Sequence, residues 1–65
     1  MIASLEGIVA LKEEDRAVLE IAGIGYEVRV TPATVVALKI GGRVRLHTVE
    51  VTREDGRDLY GFVDA

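Results

Sequence analysis

Few residues in this chain have the types and spacing that chemistry requires. Its single histidine, His47, sits in an alternating run with Arg45 and Val49 as its neighbours at two-residue spacing. General acid–base work needs an orienting partner within reach. None is spaced for it, so His47 reads as a surface or rim residue. Ser4 is the one serine, and no Gly-x-Ser-x-Gly elbow surrounds it. Glu13, Glu14 and Asp15 crowd one turn, KEEDR at 12–16, and read as a solvated loop rather than a glycosidase-like carboxylate pair. Cysteine is absent and no metal-ligand spacing occurs. No catalytic residue, no metal and no cofactor is expected.

One concentration of like charge stands apart. In TREDGRD, Glu54 and Asp55 lie side by side before Gly56, flanked by Arg53 and Arg57. An Asp-Gly pair between two strand-like runs predicts a tight type I′ hairpin. A turn does not need the second acid. Two explanations stay open: a soluble tip that discourages edge pairing, or charge placed for use. The arginines are equally two-sided. Arg29, Arg43, Arg45, Arg53 and Arg57 read as a modest positive face or as scattered solvating charge. Only Tyr26, Tyr60 and Phe62 are aromatic, a thin supply for stacking single-stranded bases.

The elements that must carry these residues follow a period of two. YEVRVT sets Tyr26, Val28 and Val30 on one face against Glu27, Arg29 and Thr31. RAVLEIAG precedes it with a β-favouring run, and AGIGY predicts a glycine hairpin between them. Residues 2–12 form a first apolar run in which Gly7 predicts a bulge or sharp bend. Thr31, Pro32 and Gly41-Gly42 predict a short helix, capped, opened and ended in that order, with Val35, Val36, Leu38 and Ile40 as its covering side. RVRLHTVEVTR resumes alternation but changes phase near Thr48, which predicts a bulge or a strand that changes sheets. RDLYGFV closes the set. Three strands, a helix and two strands is the order of a five-stranded, all-β OB-fold barrel.

Composition narrows the class. At 65 residues this is one domain, or part of a longer protein, with a marginal core. No apolar run approaches a membrane span and no signal peptide opens the chain, so it reads as soluble, cytoplasmic and without a membrane partner. A net charge of −3 argues against sequence-independent adhesion to DNA, which rests on clustered Lys and Arg.

Three blocks, MIASLEGIV, AGIGYEVRV and VTREDGRDLYGF, resemble in order and spacing the amino-terminal domain of the RuvA family, and the similarity spans the chain. The resemblance implies an OB-like barrel in a non-catalytic, Holliday-junction-binding subunit of recombination and repair. Its members form homotetramers that hold a four-way junction open and recruit RuvB, the ATP-driven motor. By the same resemblance Glu54 and Asp55 match the family's acidic pin near the four-fold axis, and Arg53 fits the pattern. Arg53, Arg57 and Arg29 are the arginines expected to face DNA. The family's helix-hairpin-helix and RuvB-binding domains would lie beyond Ala65, so residues 1–65 alone are expected to bind junctions weakly. The rival expectation is a stand-alone OB module for single-stranded nucleic acid or a protein partner.

Overall fold

In the computed structural model, which describes residues 1–63, the alternating runs become five strands and one helix. They are β1 (Ser4–Glu13), β2 (Arg16–Ile21), β3 (Ile24–Arg29), α1 (Pro32–Ala37), β4 (Arg43–Arg53) and β5 (Gly56–Phe62). The strands close into a barrel in the order β1-β2-β3-β5-β4, antiparallel throughout except where β3 meets β5. This is the expected OB-type architecture, helix between the third and fourth strands included. Side chains at every second position turn inward. Leu5, Val9, Ala17, Leu19, Val28 and Leu46 make the core, and Val30 and Leu38 complete it.

β1 serves two neighbours, pairing with β4 over Ser4–Ile8 and with β2 over Ile8–Glu13. Gly7 carries no bulge, one of the two features the sequence predicted there. It is a point of close approach: a Cβ there would lie 2.6 Å from the Glu20 carbonyl oxygen and 2.6 Å from Ile21 Cγ1. The bulge falls at Ala10, where β1 advances from Val9 to Leu11 while β2 moves only from Leu19 to Val18. An inserted residue inverts the alternation beyond it. Leu11 is therefore turned out to solvent, and Lys12 is turned in opposite Ala17.

That inversion supplies the helix with something it lacks. Thr31 caps α1 as expected, its Oγ1 accepting the Thr34 N–H at 3.2 Å, and Pro32 opens the first turn. The end comes earlier than Gly41-Gly42. Leu38 is already extended, with φ −75° and ψ 148°, and drops its side chain into the core. Val36 and Ile40, expected on the covering side, are left exposed. A helix this short leaves most of its last carbonyls without a backbone donor, the Leu38 N–H reaching only those of Thr34 and Val35, and its last turn holds no basic residue. Lys12 fills the gap from β1: its Nζ donates to the Val35 carbonyl at 3.0 Å and to that of Leu38.

No bulge falls at the predicted phase change near Thr48, where β4 instead changes neighbours, from β1 over Arg43–His47 to β5 over His47–Arg53. β4 and β5 pair without interruption from His47–Phe62 to Arg53–Gly56. Thr48 faces inward, and its hydroxyl donates to the Ile2 carbonyl at 2.7 Å. Val49 and Val51 simply lie on the outer face, where Val49 is paired with Tyr60. The apolar residues change sides while the ladder continues.

Candidate functional site

The hairpin of β4 and β5 outruns the barrel. β1 stops pairing with β4 at Ser4–His47, apart from a Thr48 N–H bond to the Ala3 carbonyl. β3 touches β5 through one ladder pair, Arg29–Tyr60. Past Val49–Tyr60 the pairs Glu50–Leu59, Val51–Asp58, Thr52–Arg57 and Arg53–Gly56 have no third strand beside them among the described residues. At about 3.3 Å per residue, β4 reaches about 20 Å beyond His47. The result is a two-stranded ribbon standing off the barrel.

Glu54 and Asp55 are the whole of its turn. Because Arg53 pairs with Gly56, the two acids occupy the central corners. Neither has a positive φ; the glycine takes φ 151° one position later. This corrects the predicted type I′ turn centred on Asp-Gly, which would have placed only one carboxylate at the apex. Both acids are exposed, and neither joins an ion pair among the described residues.

Below the tip, opposite charges are matched. Arg57 Nη1 lies 3.3 Å from Glu50 Oε2 on one face. On the other, Arg53 Nε lies 2.9 Å from Asp58 Oδ2, and Arg53 Nη2 donates to the Tyr60 hydroxyl at 2.8 Å. Asp58 Oδ1 is also 3.8 Å from Arg29 Nε, and Arg29 Nη1 is 3.6 Å from Asp15 Oδ2. The three arginines expected to face DNA are thus each engaged with an acid, Arg57 remaining the most exposed at 71% of its side chain. His47 on β4 pairs with Phe62 on β5, and among the described residues no carboxylate meets it.

Asp15 was expected to do nothing specific in its loop, and the structure corrects this. It holds Arg16 at 3.4 Å as well as Arg29, and its carbonyl accepts the Val30 N–H at 2.9 Å. Arg16 also reaches Glu27 at 3.2 Å; Glu27 first and Asp15 second push its guanidinium above the usual arginine range. Sequence reasoning missed Asp58 too. A signal existed: counting out from a two-residue turn puts Arg53 and Asp58 on one face as diagonal neighbours. Among the described residues no group of three or more His, Asp or Glu could hold a metal ion, and no helix is long and apolar enough to cross a membrane.

Comparison with known proteins gives this geometry a family. A family model described as the RuvA N terminal domain matches residues 1–61. The chain belongs to the RuvA amino-terminal domain family. It is 49% identical over 65 residues to the Holliday junction branch migration complex subunit RuvA of Mycobacterium avium, covering 100% of this chain and 33% of that protein. The subunit of the same name from Mycolicibacterium smegmatis is 50% identical over 64 residues, covering 98% of this chain and 33% of that protein. That of Salinispora tropica is 47% identical over 64 residues, covering 98% and 32%. The chain spans about a third of the length of these RuvA relatives.

Proposed function

We propose that this domain belongs to a branch-migration subunit of the RuvA kind and acts there as a non-catalytic separator of DNA strands. Its partners in this reading are four-way junction DNA and further copies of itself in a homotetramer. The motor RuvB would be met by another part of the subunit. The observation that carries the reading is the charge arrangement of the ribbon. Every cation below the tip has an acid beside it, while Glu54 and Asp55 at the apex have no cation. An unmatched double negative charge, held out on a two-stranded arm, repels phosphate rather than gripping it.

The size of the effect follows from Coulomb's law. A carboxylate about 8 Å from a phosphate costs about 0.5 kcal/mol in bulk water, or about 2 at an effective dielectric of 20. At physiological salt, whose Debye length is also about 8 Å, the exposed value falls to roughly 0.2 kcal/mol. Two acids on each of four subunits then oppose strand collapse by about 1.5 kcal/mol, close to tenfold in an equilibrium constant. Such repulsion weakens static binding and favours an open, mobile junction.

The rival, a single-strand-binding OB module, is less well supported. That role needs a basic groove and stacking aromatics. Here Arg29 and Arg53 lie in ion pairs with acids, and the Tyr60 hydroxyl is bonded to Arg53. The test is Glu54→Gln with Asp55→Asn in the intact subunit, assayed for junction affinity and branch-migration rate. Junction binding should tighten by roughly tenfold near 0.15 M salt, and by more at lower salt, with migration slowed. Unchanged affinity and unchanged migration would refute the separator.

A further inference from the structure

We infer that Asp58 is a positioning residue for the acidic tip: it braces the ribbon against β3 through Arg29 and draws Arg53 back from Glu54 and Asp55. The functional half of this inference rests on the separator reading above; the structural half does not.

A two-stranded ribbon is marginal alone and twists readily, so something else must set its direction. On the inner face Leu59 packs against the core. On the outer face there is one polar brace. Of the ion pairs and side-chain hydrogen bonds among the described residues, Asp58–Arg29 alone joins residues 49–59 to a strand outside the hairpin. It spans the seam where β3 and β5 share a single ladder pair, the least knitted joint of the barrel. Arg29 is itself held from behind by Asp15, which also holds Arg16. The brace is therefore a chain of alternating sign, Asp15–Arg29–Asp58–Arg53, ending on the Tyr60 hydroxyl.

The second task of Asp58 concerns charge. Arg53 adjoins Glu54 in sequence, and a free guanidinium there would fold over the tip or take a phosphate. Asp58 Oδ2 at 2.9 Å and the Tyr60 hydroxyl at 2.8 Å hold it on the outer face instead. Residues 50–58 contain four acids, Glu50, Glu54, Asp55 and Asp58, against Arg53 and Arg57. Without the Asp58 carboxylate two arginines lose a partner and the unmatched charge at the tip is diluted. Exposed pairs of this kind add little to global stability. The consequence is local geometry and charge.

The test uses Asp58→Asn, Asp58→Glu and Arg29→Gln. In the 65-residue chain, backbone order parameters at Glu54, Asp55 and Gly56 should fall in Asp58→Asn from about 0.85 to below about 0.6. The thermal midpoint should hardly move. Arg29→Gln should loosen the tip likewise, and Asp58→Glu should keep it ordered. In the intact subunit, Asp58→Asn should steepen the salt dependence of junction binding by about 0.9 log units per log unit of salt for each freed arginine that takes a phosphate. That is about threefold more affinity lost between 50 and 200 mM for each such contact. An ordered tip in Asp58→Asn, or an Arg29→Gln tip as rigid as the parent, overturns the brace. A loosened tip with an unchanged salt slope upholds the brace and tells instead against a DNA-facing tip.

Discussion

Replacing Lys12 by methionine isolates the link between the β1 bulge and the helix. Methionine keeps most of the apolar stem opposite Ala17 and removes the ammonium, so the Leu38 carbonyl loses its donor and the Val35 carbonyl keeps only the Leu38 N–H at 3.3 Å. A hydrogen bond to a charged group contributes roughly 1.5–3 kcal/mol when buried. Lys12 and Val35 are only partly buried, so water will recover some of that. The expected loss is about 1–2 kcal/mol. For 65 residues the total stability is on the order of 3–10 kcal/mol, so this is a visible fraction. Near the midpoint it corresponds to a fall of about 5–15 °C in Tm. The assay is thermal and urea unfolding of Lys12→Met beside Lys39→Met, an exposed lysine with no ion pair or hydrogen bond from its side chain among the described residues. Lys39→Met should stay within about 0.5 kcal/mol of the parent. Equal effects at the two lysines would refute the idea that β1 caps α1.

Three further substitutions probe one turn and two tight points of the barrel. Ala22 sits at φ 52°, where a Cβ is disfavoured, and Gly23 follows at φ 84°; Ala22→Asn should create a favoured Asn-Gly turn and raise stability by up to about 1 kcal/mol in urea unfolding. Gly7→Ala and Gly61→Ala should both destabilise, by about 1–3 kcal/mol or more. Gly7 should suffer more, because its new Cβ meets the Glu20 backbone at 2.6 Å, whereas at Gly61 it meets the Val28 side chain at 2.6 Å. A reversed order in paired thermal melts would show that the β1–β2 backbone yields more easily than the core.

How far the sequence alone led depended on the range of the interaction involved. Alternation in residues 26–30 and the Thr31-Pro32 start of the helix are local patterns, set by the two-residue period and by backbone capping, and they were legible before any coordinates. So was the strand–helix order that names the barrel, and so was the adjacency of Glu54 and Asp55. Where the expectation failed, the cause lay in a distant neighbour. The bulge sits at Ala10 rather than Gly7, and by turning Lys12 inward it serves the end of α1, more than twenty residues away in sequence. Val49 and Val51 looked like a register slip because no local rule tells an apolar residue on an outer face from one on an inner face. The acid pair was visible, but its freedom from cations was not. That depends on Asp58 claiming Arg53 across the hairpin and Arg29 across the β3–β5 seam, contacts that exist only once the barrel has closed.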